Sequence, residues 1–582
     1  MHENEQQSHS LVTNEDIVHA MDAFGIVPSE QLVARVKDLC LIYEYDADTL
    51  VSMWVFFAQQ KKYATDSMDF TRIEHFEREV LHRNAVSVQT EKMKAPQKKQ
   101  QVSKNNSSKF ETSLLFNEYG ADLSDDFVLN DTAHENSEIK SDVKTENSEM
   151  KFEKAEQVDG EIFYKRVDNY YGESLETKQW MNKLNHIYEI HPFDRNFYVK
   201  NAYRFMQLNI HHCAELMHSF FNYISEAIKN NCEFDSFGNL NVESSEECYF
   251  IGRIVKENLD GKQNDKCLRF EGGPTSKRRA FLDLSQLFDY SLIPGQIVTF
   301  KSTYDFQNGL KPSEIIDETI SINDFSKEEL NLSEPLQLVV ASGPYFPTKT
   351  DDYELLNKLL SYVKKTKPHF IILMGPFVDS KNDFILSNRD IDELFNDLMN
   401  TINFHLFGTN IKAIIVPSLR DFNHDCIFPS PPFQGNWPQL YLASNPCLLN
   451  IAGIVIAVNS VDVLFHMIRS EFSRTSGDPE PGLRMKLLCR HLLSQQSFYP
   501  LYPPDPEVNM EYQKLEYIHL PVTPHLFLLT SKLKNFAKSV DGCVFVNSES
   551  LAKGHFSRIR IECLQGHIGS IDQHVNVEIL KI

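Results

Sequence analysis

Apolar and polar positions change rhythm several times along this 582-residue chain, and each change marks an element or a boundary. From about residue 11 to 84 the spacing is helical. Ile17, Met21 and Phe24 recur behind Thr13 and Asn14, either of which caps a first turn, and Gly25 ends it. Ser29 opens a second helix with Leu32, Val36, Leu39, Cys40 and Tyr43 along one face. Asp46 or Asp48 starts a third, carrying Leu50, Val51, Trp54 and Val55, and Phe70, Ile73, Phe76, Val80 and Leu81 indicate a fourth. A compact antiparallel bundle over 1–85, with its own core, is the economical arrangement.

The apolar rhythm stops at about Asn84. KMKAPQKKQQVSKNNSSK is polar and basic, and SDDFVLNDTAHENSEIKSDVKTENSEMK is polar and acidic. Neither stretch can offset the entropy of ordering, so 86–160 reads as a flexible linker with one short apolar interruption, SLLFNEY. Lys98-Lys99 fits a solvated linker better than an import signal, and no Ser-Pro or Thr-Pro occurs in the linker. Order returns near Glu161, and 161–235 reads as a helical connecting segment. Its main element is a long amphipathic helix between Tyr203 and Asn230, with Met206, Ile210, Cys213, Met217, Phe221, Ile224 and Ile228 on the core side.

Two further patterns follow. CYFIGRIVKE, KCLRFEGG, RRAFLDLSQL and GQIVTFKSTYDF are β-rich runs at short intervals, which suits a small closed barrel of the OB type over 236–325. From 330 to 582 strands and helices alternate. Strands are expected at Leu336–Ala341, His369–Met374, Lys412–Val416, Ile454–Asn459, His525–Thr530, Cys543–Asn547 and Arg558–Cys563, with a helix near Ile391–Ile402. LQLVVASGPYFP, DYELLNKLLSYVKK and HFIILMGPFVDSKN form a strand, a crossover helix and a strand, and both strands end in Gly-Pro. Continuous apolar strands are buried on both faces, so this is a large α/β domain whose strand-end loops would form any site.

Composition narrows the function. The formal charge of −23, from 81 acidic against 58 basic residues, repels phosphate backbones and argues against a free-standing DNA binder. Ten scattered cysteines with no C-x-x-C pair argue against a zinc module and a disulfide scaffold. The start, MHENEQQSHS, is no secretory signal, and no transmembrane run is present, so an intracellular protein is expected.

Chemistry is sparse at the strand ends. Two-metal phosphoester hydrolysis needs Asp, His and Asn ligands on successive loops, with one Asp bridging ions about 3.5–4 Å apart. Here the first loop is Ser342-Gly343-Pro344 and the second is Gly375-Pro376-Phe377-Val378-Asp379, with Pro376 at the bridging position. The third, Pro417-Ser418-Leu419-Arg420-Asp421, puts Leu419 and Arg420 where an Asn-His pair is expected, and the last gives Asn547-Ser548-Glu549 without histidine. Asp379 and Asp421 remain, and two carboxylates cannot hold two ions. No P-loop, dinucleotide fingerprint or nucleophile elbow occurs. His211-His212-Cys213 are adjacent on a helix, about 100° apart, and cannot converge on one ion. His424, Asp425 and His466 read as surface or satisfied residues. Lys277, Arg278 and Arg279 read as a solvated hairpin before a nucleic-acid patch, since no aromatics interleave with them at strand spacing.

Taken in order, several stretches resemble one family, the regulatory B subunits of DNA polymerase alpha–primase complexes. They are VVASGPYFP at 339–347, ILMGPFVDSKN at 372–382, VPSLRDFNHD at 416–425 and LCRHLLSQQSFYPLYPP at 488–504, joined by LDLSQLFDYSLIPGQIV at 282–298 and FVNSESLAKGHF at 545–556. LVTNEDIVHAMDAFGI and the Cys40 to Trp54 segment are similar to the family's helical head. The resemblance implies an OB fold packed on a calcineurin-like phosphoesterase fold that lacks its metal ligands, with no catalysis, cofactor or metal. Ser342, Gly343, Pro344, Gly375, Pro376, Asp379, Arg420, Asp421 and Asn547 would then line a vestigial pocket. The implied partners are the zinc-bearing C-terminal domain of the polymerase alpha catalytic subunit, the primase subunits, and replication initiation factors recruited by the head. The implied location is the nucleus, with at most a weak DNA contact. Asn547-Ser548-Glu549 departs from the family's usual Asn-Pro-Gly, and the linker lacks the proline-directed phosphosites of some members. Two alternatives stay open: an active metallophosphoesterase or exonuclease, as in the similar small subunit of archaeal D-family polymerases, and the B subunit of polymerase delta or epsilon. QQSFYPLYP and the pairing of head with linker favour alpha.

Overall fold

The structure, a computed structural model, describes single positions between 17 and 76 and helix α1 (Glu30–Tyr43). It then describes 156–158, 161–172, 180, 186–194 and 199. From 203 onward it describes everything except 233–236, 258–266, 275, 277, 317, 348–351 and 477–481. The chain divides into two compact units, Met1–Asn105 and Asn106–Ile582. In the first, Ile17, Met21, Leu32, Val36, Leu39, Cys40, Leu50, Val51, Trp54, Ile73 and Phe76 share one buried cluster. These are positions the helical spacing selects, and Trp54 meets Phe76 edge-on at 5.8 Å. Phe24, Phe70, Val80, Leu81, SLLFNEY, Lys98-Lys99 and Lys277 lie outside the described residues.

The second unit opens with β1 (Glu156–Val158), β2 (Glu161–Tyr171) and β3 (His191–Pro192), followed by α2 (Ile210–Asn231). The expected helical connector is therefore corrected: among its described residues only Trp180 and 210–231 are helical, and β2 is a strand. EIFYKRVDNYY is rich in aromatic and β-branched residues, and it adds to the edge of a sheet by pairing with a later strand. β1, inside the stretch expected to be linker, folds back on β2. The helix begins later than its periodicity suggests, because Asn209 caps it by accepting the His212 N–H. Met217, Phe221, Ile224 and Ile228 are buried as expected, while Met206 and Ile210 are 57% and 81% exposed and Cys213 is only partly buried.

The barrel consists of β4 (Ser244–Lys256), β5 (Leu268–Gly272), β6 (Arg279–Phe281), β7 (Tyr290–Leu292), β8 (Ile297–Asp305) and β9 (Gly309–Ile315). Five of these form a sheet in the order β6-β5-β4-β8-β9, and a bridge between Leu282 and Leu310 closes it. Closure depends on Gly309, at φ +81°, whose hydrogen faces the Phe281 backbone where a methyl group would collide. Phe250, Ile254, Phe270, Val298, Phe300 and Leu310 fill the interior.

After the short strand β10 (Leu330–Asn331) come β11 (Leu336–Ser342), α3 (Glu354–Thr366), β12 (Phe370–Met374), α4 (Asp383–Asn388), α5 (Ile391–Leu406), β13 (Lys412–Val416), β14 (Leu440–Leu442), β15 (Cys447–Ile451) and β16 (Ile454–Asn459). The chain ends with α6 (Val463–Ser470), β17 (Phe472–Arg474), α7 (Leu483–Ser494), β18 (Leu526–Leu529), β19 (Phe536–Val540), β20 (Cys543–Asn547), β21 (His555–Ile561), β22 (Gln565–Gly566) and β23 (Val575–Lys581). Two sheets result. One runs β1-β2-β23-β21-β11-β12-β13-β14 with β11 to β14 parallel, and the other runs β19-β20-β18-β16-β15-β3 with β16, β18 and β20 parallel. Leu338, Val340, Ile372 and Ile414 of the first sheet share one core with Ile456, Leu526, Leu528 and Val546 of the second. The outer faces are covered separately: α3 and α5 lie over Val339, Ile371 and Ile415, and α6 and α7 lie over Val455, Phe527 and Phe545. The layering is helix, sheet, sheet, helix, which is why each central strand reads as an unbroken apolar run.

Candidate functional site

The parallel register sets the site. Ser342 pairs with Met374 and Met374 with Val416, so β11, β12 and β13 end level and release their loops side by side. The ladder continues one step into each loop, through Gly343 N–H to Met374 O and Gly375 N–H to Val416 O, both 2.8 Å. Both Gly-Pro bonds are cis. The two glycines are required by close approach: a Cβ on Gly343 would run into the Pro376 backbone, and one on Gly375 would run into the Asp421 carboxylate and Ser418. Tyr345 closes the floor, stacked on Phe377 at 5.0 Å and donating its hydroxyl to Met374 O at 3.0 Å.

Within these loops Asp421 is the organising residue. It is 2% exposed. Its Oδ1 accepts from the Phe377 N–H and the Val378 N–H, and its Oδ2 accepts from the Ser418 N–H at 2.7 Å. One carboxylate thus ties the second loop to the third. Burial pushes this carboxyl up to about 7, against the pull of the three N–H donors and with help from nearby Asp379. Asp379 faces a bidentate guanidinium: Arg420 donates from Nε to Oδ1 at 3.1 Å and from Nη2 to Oδ2. A backbone bridge between residues 379 and 421 holds both side chains in place.

Among the positions selected from the sequence, Ser342, Gly343, Pro344, Gly375, Pro376, Asp379, Arg420 and Asp421 come together on these adjacent loops. Asn547 stands at the end of β20 in the other sheet. Its amide is tied to the turn after β18, accepting from Ser531 N–H at 3.2 Å and donating to Leu533 O at 3.0 Å. The links between the two sheets at this end are residues the sequence reading did not single out: Thr530 donates to Ser342 Oγ at 3.3 Å, and Ser460 donates to Pro417 O at 2.6 Å. Their signal was a small hydroxyl residue directly after an apolar strand. Glu549 sits at φ +65°, a left-handed position that favours glycine, and is held by Lys553 at 3.0 Å and Asn535 at 2.9 Å. That is the point at which the sequence departs from Asn-Pro-Gly.

The donor set does not fit a binuclear metal centre. Pro376 offers no lone pair, Asp421 is sealed and spends its oxygens on three N–H groups, and Asp379 is neutralised by the chain's own guanidinium. Elsewhere, His466 is buried with Tyr499 Oη at 3.1 Å and the Asp505 and Glu507 carboxylates at about 4 Å. His424 lies edge-on to Phe433 at 4.9 Å. The basic cluster on the barrel differs from its sequence reading. Aromatics do meet it, with Arg278 on the Phe306 ring at 4.1 Å, and β5–β6 pairing sets the neighbouring Arg269 on the Phe281 ring at 3.7 Å. These charges are also matched, Arg269 with Glu257 and Arg279 with Glu271. Among the described residues no helix is long and apolar enough to cross a membrane.

Three family models match the chain in order. Residues 338–538, which hold the strand-end loops, match the family of DNA polymerase alpha/epsilon B subunits. The α/β unit therefore defines the class, that of B subunits of replicative polymerases. Residues 15–83 match the N-terminal region of the DNA polymerase alpha B subunit, and residues 214–318 match that subunit's OB domain. The DNA polymerase alpha B subunit of Mus musculus is 30% identical over 366 residues, covering 61% of this chain and 60% of its own. The Drosophila melanogaster protein of that name is 24% identical, with 94% of this chain and 96% of its own length covered. The Saccharomyces cerevisiae one is 24% identical with 63% and 62% covered. The chain belongs to the family of DNA polymerase alpha B subunits, and not to the delta or epsilon B subunits. Its match spans about 60% of the length of the mammalian relatives.

Proposed function

We propose that this protein is a non-catalytic regulatory and scaffold subunit of a nuclear DNA polymerase alpha–primase complex. In this reading the barrel and the α/β domain together hold the C-terminal domain of the polymerase catalytic subunit. The head over 1–85, on the linker 86–160, recruits initiation factors, and primase joins through the complex. The observation that carries the non-catalytic half is the pairing of Asp379 with Arg420 beside a sealed Asp421, which spends both surviving carboxylates on structure. The scaffold half is supported by the rigid union of barrel and α/β domain: β7 pairs with β17, and Ile297 exchanges two hydrogen bonds with the Gln495 amide at 2.8 and 3.0 Å.

The full chain, co-expressed with the catalytic subunit's C-terminal domain, is expected to co-purify with it stoichiometrically, and failure to do so sinks the scaffold reading. Elemental analysis of the purified chain tests the other half, since about two tightly bound Mn, Fe or Zn ions per chain would restore the phosphoesterase reading. Pro376→Asp restores one ligand type without the Asn and His donors. No phosphodiesterase activity is expected from it with Mn or Zn added, and measurable turnover would count against the proposal.

A further inference from the structure

A groove of about 610 Å³ opens next to the strand-end loops, and residues 422–425, directly after Asp421, form one of its walls. Its other walls come from the first turns of α5, from Pro431-Pro432 and from the segment ahead of α2, where Tyr203 donates to Pro429 O at 2.6 Å and fixes the rim. Two features of the lining point to one kind of occupant. Phe205 and Phe422 present rings to solvent, 38% and 55% exposed, beside the two prolines. The lining contains Asp392 and Asp425 and no lysine or arginine. Lys514 does not line the groove and lies over the Tyr203 and Tyr517 rings at 5.4 and 5.6 Å.

We propose that this groove binds an extended, proline-containing, cationic segment of a partner polypeptide. A polyproline II chain has flat apolar faces that stack on aromatic rings and prolines at low entropic cost. An arginine or lysine on the same segment reaches Asp425 and Asp392, and its stem lies on Phe422. A nucleic acid strand is disfavoured at the same place, because both carboxylates would face its phosphates. The inference goes beyond the scaffold reading and does not depend on it, because the groove lies on this chain alone.

The test uses the full chain and a fluorescein-labelled peptide in which prolines alternate with leucine and arginine, read by fluorescence anisotropy. The same peptide with glutamate for arginine is the control. Saturable binding of the arginine peptide, with at least about tenfold preference over the glutamate peptide, is expected. Phe422→Ala should weaken it about tenfold, whereas Phe404→Ala, a 78% exposed phenylalanine that does not line the groove, should leave it unchanged. The pair Asp392→Lys with Asp425→Lys alters two exposed positions and should reverse the peptide preference, with unchanged thermal unfolding as the check on folding. The inference is overturned by absence of saturable binding, by equal affinity for the two peptides, or by groove variants that bind as tightly as Phe404→Ala.

Discussion

At the scale of single residues, Asp421 shows how a carboxylate on a strand-end loop is put to structural use. Its two oxygens satisfy three backbone N–H groups from two loops. An amide in its place keeps one acceptor and turns a donor toward Ser418. Asp421→Asn is therefore expected to destabilise by about 1–3 kcal/mol in urea unfolding. The pH dependence has a definite sign. The carboxyl is raised to about 7 in the fold from an ordinary aspartate value of 3.8, so between those limits the native state holds a proton that the unfolded chain has released. Stability contributed by this group therefore falls as pH rises from about 4 to 7 and is level above that. The asparagine variant should lose that falling component, and an unchanged pH profile would contradict it. The sequence made Asp379, Arg420 and Asp421 visible as residues at loop positions where ligands are expected. It did not show that Arg420 reaches back 41 positions to Asp379, because that pairing depends on loop paths set by the level ends of β12 and β13.

At the scale of elements, the central parallel strands were legible because burial on both faces leaves apolar runs, as over 413–416 in β13 and 543–546 in β20. Two strands that escaped notice belong to hairpins. β15 turns into β16 through Ala452-Gly453, at φ +53° and +91°, and β19 turns into β20 through Asp541-Gly542, at φ +48° and +81°. Asp-Gly between strand-forming runs is a strong hairpin signal, so β19 was readable. β2 was less so, because its pairing partner β23 lies some 400 positions away. The loops are elements of the same kind, shaped by close approach. Gly375→Ala places a methyl group against the Asp421 carboxylate and the Ser418 backbone, neither of which can retreat without breaking the N–H bonds just described. We expect a loss of at least about 2 kcal/mol from this change, whereas Gly408→Ala, whose Cβ meets nothing within 4 Å, should cost only the strain of its φ of +76°, about 1 kcal/mol. Thermal unfolding of both variants separates collision from backbone strain.

At the scale of the molecule, stability of the second unit rests on two polar devices that the sequence did not announce. One is repeated in both sheets. His369, just before β12, accepts the Gln337 N–H on Nδ1 at 3.1 Å, and His525, just before β18, accepts the Val455 N–H at 2.9 Å. Burial lowers both imidazoles to about 4, so each is neutral in the fold at a pH where the unfolded chain has begun to take up a proton. Their contribution is complete above about pH 6.5 and is lost as pH falls toward 4, by about 2 kcal/mol each at pH 5. His369→Gln and His525→Gln should each flatten urea-unfolding stability between pH 7 and 5. The other device joins barrel to α/β domain. Ser291 on β7 donates to Glu471 Oε1 at 2.6 Å and meets His491 Nε2 at 2.8 Å, while Arg484 holds Glu471 Oε2 at 2.7 Å. Glu471 has no exposed side-chain surface, so its removal strands the Arg484 charge and leaves the Ser291 hydroxyl with His491 alone. Glu471→Ala should cost about 3–5 kcal/mol. Because β7 and β17 meet at this point, amide exchange in 290–292 and 472–474 should accelerate before exchange in β12 or β18 does. If the two pairs of strands accelerate together, the network stabilises the unit as a whole and does not act as the hinge pin between barrel and α/β domain.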